Sequence, residues 1–206
     1  VGVTQQRTVQ LLPKTVGGEK INYIMLDDAS DTSTTVKNVR KLLSEDKIDV
    51  LLGPSLTPNS LALLDIMTET GTPMISLAGS GAIVDPVDAK RRWAFKTPQS
   101  DTNMATIVVK HMLDTGVKRV AFIGFNDAYG EGWYKEFSKL AELRRLTVVA
   151  NERYTRTDTS VTEQTLPDGS IVYDFAALEI ELQAKINAVR NGRVNVSAQV
   201  IDLRTH

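Results

Sequence analysis

The chain has 206 residues, 42% of them apolar, enough for one large or two small domains with packed cores, which excludes fibrous and disordered classes. Its 24 basic and 25 acidic residues nearly cancel to a net charge of -1, so no global field draws it to nucleic acid or to an anionic membrane. Without cysteine it has no disulfide framework, thiol nucleophile or thiolate metal site, and such a chain suits reducing and oxidising compartments alike.

No stretch approaches the roughly 18 apolar residues of a membrane span, and the first residues lack a signal peptide's basic-then-apolar pattern. A soluble chain whose export signal has been removed is therefore expected. Residues 21–28 (INYIMLDD) are an apolar run ending in acids and predict a strand. Residues 31–43 (DTSTTVKNVRKLL) predict a helix with Thr35, Val36, Val39, Leu42 and Leu43 on its apolar or small side. Residues 48–53 (IDVLLG) predict a strand stopped by Gly53-Pro54, and residues 60–70 a helix through Leu61, Leu64, Ile66 and Met67 that ends at Gly71. Residues 74–78 (MISLA) form a third predicted strand, which runs into the glycine-bracketed loop Gly79-Ser80-Gly81.

Residues 82–100 read as irregular, a passage between two lobes. The pattern then restarts: a helix at 102–115, a strand at 117–125 (VKRVAFIGF), a helix at 129–145 and a strand at 146–153 (LTVVANER). Short apolar strands alternating with helices imply parallel pairing, because each crossover must lay its helix on a sheet face. From about Thr165 the texture changes. Residues 166–170 (LPDGS) predict a turn, and Asp174 is placed to cap a helix carrying Phe175, Leu178, Leu182, Ile186 and Val189. Val194, Val196, Ala198 and Val200 then alternate as a strand.

Ser55, Ala78, Ser80 and Tyr129 all fall at the carboxyl ends of predicted strands, where open α/β sheets bind ligands, although glycine and serine after a strand are most often turn chemistry. Asp27-Asp28 has the form of a metal or phosphoacceptor pair, as in response regulators. A turn and cap for the next helix is the preferred reading, since no lysine after a late strand completes the set. His111 and His206 are too few and too far apart for a zinc site, and His111 reads as a partly buried helix residue. Tyr129, Trp133 and Tyr134 could stack on a ligand, but at these helical steps one or two of them face the core. Phosphate-loop, dinucleotide-fingerprint, nucleophile-elbow and His-Glu-x-x-His motifs are absent, so no enzyme, cofactor or metal is expected.

The string LLPKTVGGEKINYIMLDDASDTSTTVKNVRKLLSEDKIDVLLGPSLTP, with the later NDAYGEGWYKEFSKLAE and NERYTRTDTSVT, closely resembles periplasmic amino-acid-binding proteins of the branched-chain type, the solute receptors of ABC importers. The resemblance covers about residues 5–164. It implies an α/β fold of doubly wound parallel sheets with helices on both faces, in two hinged lobes that close over a small ligand. Residues 1–100 would be the first lobe, 101–164 the start of the second, and 165–206 a tail of helix plus strand outside the family pattern. Ser55 then resembles a ligand hydrogen-bonding group, Ala78, Gly79 and Ser80 resemble the loop that holds a ligand carboxylate, and Tyr129 resembles the ligand's lid. Amides at helix starts after Ser55 and Ser80 suit a carboxylate without an arginine. The implied partners are an amino-acid-like small molecule and an importer's membrane permease, with no nucleic acid; the implied location is the periplasm.

Two departures shape the expected fold, which is incomplete or rearranged. The family opens with a central strand ahead of its first helix, whereas this chain begins at Val1-Gly2-Val3, near that helix. A gap is thus expected between the strands at 21–28 and 48–53. The family's acid for a ligand ammonium falls in the section that the tail replaces. A strand at 194–203, from the same chain or exchanged with a neighbouring copy in a homodimer, is the expected repair. The alternative is a binding-incompetent, truncated or chimeric flavodoxin-like α/β fold whose tail completes the sheet.

Overall fold

The structure, a computed structural model, describes residues 2–156, 164–165 and 171–172. The chain divides into two compact units, Val1–Ser100 and Asp101–His206, each with its own apolar cluster.

The first unit opens with α1 (Gly2–Val9) and a small antiparallel hairpin, β1 (Thr15–Val16) and β2 (Glu19–Lys20). The hairpin turns through Gly17 and Gly18, at φ 59° and 89°, which side chains rarely adopt. Residues 21–28 run extended but are not a strand. A strand needs a neighbour for its backbone groups, and among the described residues none pairs with 22–28. Ile24, Met25 and Leu26 are accordingly well exposed.

α2 (Thr32–Ser44) starts where the Asp31 carboxylate accepts the Thr34 amide at 2.7 Å, and it buries Thr35, Val39 and Leu42 at helical spacing. β3 (Leu51–Leu52) leads into α3 (Thr57–Thr70), which begins earlier than periodicity predicts because Pro58 is well tolerated in a first turn. α3 ends at Gly71 in the left-handed conformation, φ 67°, a position any side chain would strain. β4 (Met74–Ser76) pairs in parallel with β3, and with β5 (Ala94–Lys96) on its other side. The segment read as irregular therefore contains a strand, too short to show a period. Across this sheet Leu51, Met74 and Ala94 form a buried row that joins Val39, Leu42, Leu63, Leu64, Met67 and Ile83 in one core. The alternate row, Leu52, Ile75 and Phe95, has Leu52 and Phe95 exposed. Trp93 is half-buried beside Gly71.

The second unit begins with α4 (Asp101–Asp114), followed by β6 (Arg119–Phe125), α5 (Ala128–Leu143) and β7 (Thr147–Tyr154). β6 and β7 pair in parallel, with an irregularity between Val120 and Ala121. Val109, Val120, Phe137, Ala141 and Leu146 make the core between this pair and the two helices. On α5, Tyr134 tilts against Phe122 with ring centroids 5.2 Å apart, while Trp133 is half-buried. His111 is exposed rather than partly buried, since α4 turns Ala105 and Val109 inward.

β8 (Gln164–Thr165) and β9 (Ile171–Val172) pair antiparallel. The helix and strand expected at 174–192 and 194–203 lie outside the described residues. Among the described residues no helix is long and apolar enough to cross a membrane. The observed architecture is the expected α/β class with parallel pairing.

Candidate functional site

In the first unit, the carboxyl ends of neighbouring parallel strands bring two loops together. The Leu77 amide donates to the Pro54 carbonyl at 3.0 Å, joining the loop after β4 to the loop after β3. Beneath them the buried Ser60 and Ser76 hydroxyls meet at 2.8 Å, and Ser76 Oγ accepts the Ala78 amide at 3.1 Å. Ser55, Ala78, Gly79 and Ser80 thus share one edge of this unit. Ala78 and Ser80 are buried, while Ser55 and Gly79 are half-buried.

The individual groups differ in what they have left to offer. Ser55 Oγ accepts from the Gln5 side chain of α1. Ser80 is the cap of a short 3-10 turn (Gly81–Ile83), its Oγ accepting the Ala82 amide at 3.3 Å. That use leaves its hydroxyl proton to donate elsewhere. Thr57, the first residue of α3, is 1% exposed, and among the described residues its Oγ1 is the buried side-chain oxygen or nitrogen with no hydrogen-bond partner. The cap residue before it, Leu56, has no side-chain acceptor for the first-turn amides. A buried hydroxyl without a partner costs about 1–3 kcal/mol, so Thr57 carries an unmet hydrogen bond at this edge. Sequence reasoning passed over it for Ser55; the readable signal was the Thr-Pro pair opening the helix.

The start of α3 is held by a polar network. Asn59 Nδ2 donates to Asp28 Oδ2 at 2.9 Å and to Thr35 Oγ1 at 2.8 Å, Thr35 Oγ1 donates to the same Asp28 oxygen at 2.9 Å, and Thr32 Oγ1 donates to Asn59 Oδ1 at 3.0 Å. Asn59 and Thr35 are buried, so each bond matters more than its surface equivalent. The Asp27-Asp28 pair is thereby explained. Asp27 Oδ1 accepts the Ala29 amide and Asp28 Oδ1 the Ser30 amide, both at 2.9 Å, as turn acceptors. The cap of the following helix is Asp31, not this pair. No cluster of metal-ligating side chains occurs among the described residues.

In the second unit, Tyr129 sits at the start of α5, beside the carboxyl ends of β6 and β7. Asp127 caps that helix, its Oδ1 accepting the amides of Tyr129 at 2.9 Å and Gly130 at 3.1 Å. Its Oδ2 takes Arg156 Nε at 2.7 Å. Gly130 is obligatory: a Cβ there would lie 1.9 Å from the Phe125 carbonyl oxygen, so only glycine lets α5 approach β6 this closely. Tyr154 packs on Phe125 with centroids 4.6 Å apart, and burial raises its phenol pKa above the ordinary value. Arg153 holds Glu131 through Nε at 2.6 Å, and that bond depresses the Glu131 pKa.

These loops after parallel strands, each opening a helix, can be set beside known proteins. The sequence profile of the family described as Periplasmic binding protein matches residues 9–166. This chain belongs to that family. Membership favours the fold of that family over the flavodoxin-like alternative. Among curated relatives it is 26% identical to the Leu/Ile/Val-binding protein BraC3 of Rhizobium johnstonii over 144 residues, 68% of this chain and 38% of that protein. Among solved structures it is 46% identical to an extracellular ligand-binding receptor from Rhodopseudomonas palustris HaA2, with a TM-score of 0.76 over 78% of this chain and 45% of that one. A solute-binding protein of an ABC transporter from Rhodopseudomonas palustris BisB5, in complex with 3,4-dihydroxybenzoic acid, shares the fold at 24% identity. Its TM-score is 0.63, over 69% of this chain and 38% of that one. The chain spans less than half the length of each of these proteins.

Proposed function

We propose that this chain is a portion of a periplasmic solute receptor for an ABC importer, binding an amino acid or similar small carboxylate without chemical conversion and passing it to a membrane permease. The observation that carries the reading is Thr57: a buried hydroxyl with no partner, at the amino end of a helix with no side-chain cap. It shares its unit with the two loops that the Leu77–Pro54 hydrogen bond joins at the strand ends. A carboxylate is the ligand such a donor set accepts most readily, because helix-start amides and hydroxyls hold negative charge without an arginine. Ser55, Ala78, Gly79 and Ser80 are assigned to the same carboxylate, with Thr57 added to them, and Tyr129 is kept as a ligand-contact assignment of the second unit by itself.

Lobe closure belongs to the same proposal. A ligand that touches the closed state on more sides than the open one raises the closed population by its differential affinity. The test is calorimetric titration of the full chain with leucine, valine, phenylalanine, 4-hydroxybenzoate and 3,4-dihydroxybenzoate. Saturable heat with at least one of them is expected. Absence of binding to all of them up to about 10 mM, a standard free energy weaker than roughly 3 kcal/mol, refutes the reading.

A further inference from the structure

α1 faces the wrong way for a helix held by packing alone. Its apolar Val3 is 63% exposed, while the polar Gln5 and, one turn on, Val9 are its half-buried positions. The Gln5 carboxamide reaches the loop after β3, where its Nε2 donates to Ser55 Oγ. Among the described residues this is the one side-chain hydrogen bond by which α1 holds another element.

The direction of that bond decides what Ser55 has left. A carboxamide nitrogen only donates, so Ser55 Oγ is engaged as an acceptor and its proton is free to donate. Among the described residues no acceptor takes that proton. Ser80 is in the same condition, since its Oγ accepts the Ala82 amide, and among those residues Thr57 Oγ1 has no partner. The hydroxyls on this edge are therefore biased to donate. A carboxylate meets such an edge with two acceptor oxygens, whereas its carboxamide isostere brings one oxygen and an NH2 group that meets another donor.

We infer that Gln5 is a positioning residue that sets the polarity of the site through Ser55: by filling the acceptor side of that hydroxyl it commits the proton to the ligand, and so selects an ionised carboxylate over the neutral carboxamide of the same shape. This deepens the receptor reading and rests on it. Every protein group involved belongs to the first unit. Glutamate in place of Gln5 inverts the arrangement, because a carboxylate takes the Ser55 proton and leaves that hydroxyl only a lone pair to offer.

The test titrates the full chain with matched pairs: leucine against leucinamide, and 4-hydroxybenzoate against 4-hydroxybenzamide. In the unmodified chain the carboxylate of at least one pair is expected to bind at least about tenfold more tightly than its amide, and Gln5→Glu to cut that preference by about tenfold or more. The cut is expected to shrink at least about threefold in the Ser55→Ala background, because the added charge acts in both backgrounds whereas the turned hydroxyl acts in one. Gln5→Leu removes the donor without adding a charge and is expected to narrow the preference by a smaller factor that again depends on Ser55; it serves as the test if Gln5→Glu does not fold by circular dichroism. Equal affinity within each pair in the unmodified chain, a preference that survives the Gln5 substitutions, or one cut equally with and without Ser55 Oγ overturns the inference and leaves the receptor reading intact. Absence of binding to all four compounds and to the solutes named above overturns both.

Discussion

Replacing Thr57 by valine separates stability from binding. Thr57 is 1% exposed and its hydroxyl is unpartnered, so the ligand-free chain bears the cost of a desolvated polar group there. Valine has nearly the same shape and keeps the branch at Cβ, which the first helical position already accommodates. Removing the oxygen should recover about 1 kcal/mol of the unsatisfied-group penalty, at the low end of its usual range because a small extra methyl must be fitted. For a unit of about 100 residues this raises the melting temperature by roughly 4–8 °C. Ligand affinity should move the other way. A hydroxyl donating to a carboxylate contributes about 1.5–3 kcal/mol, so its loss should weaken binding roughly 10- to 100-fold. The assay is a thermal melt followed by circular dichroism, with and without ligand, beside calorimetry on the same samples. A variant that melts below the parent, or that binds as tightly, shows that Thr57 is not a group held in reserve for ligand.

Three further outcomes follow from the geometry. Gly130→Ala places a Cβ against backbone at 1.9 Å, a clash no rotamer relieves, so it should destabilise the second unit by about 3 kcal/mol or more, whereas Gly2→Ala, with open space around it, should not; equal urea midpoints would refute the close approach. Asn59→Ala removes two donors and an acceptor from the buried network around Asp28 and should cost about 2 kcal/mol in urea denaturation, while an exposed asparagine such as Asn22 should cost almost nothing. The Thr34 hydroxyl and amide hold the Asp31 carboxyl below its ordinary pKa. Its contribution is therefore full above the unfolded value of about 3.9 and is lost as pH falls through the lower native value. Asp31→Asn, which still caps the helix, should flatten the acid limb of stability below about pH 4, and an unchanged limb would refute the assignment.

Most helices and paired strands between residues 31 and 154 were legible, because each carries its own period or apolar run and buries the face that period predicts. Val39 and Leu42 on α2 and Leu51 and Met74 across the sheet are such cases. Residues 21–28 were not, for the opposite reason. Their apolar content is strand-like, but a strand is defined by a partner, and sequence cannot supply one that is absent from the described fold. β5 has only three residues, fewer than any period needs. The Gly17-Gly18 turn was visible and unread. At the site, position was easier than role. Ser55 and Ser80 do stand at strand ends, yet both hydroxyls have protein partners, while Thr57 looked like an ordinary helix residue until its burial and lack of a partner were seen.

Each unit contains one tryptophan, Trp93 in the first and Trp133 in the second, both half-buried. Intrinsic fluorescence therefore reads the two cores on separate channels once either indole is replaced by phenylalanine. The emission of Trp93 alone should follow events around Gly71 and α3, and that of Trp133 alone events on α5. A solute that quenches or blue-shifts one and not the other would be located by colour before any complex is crystallised.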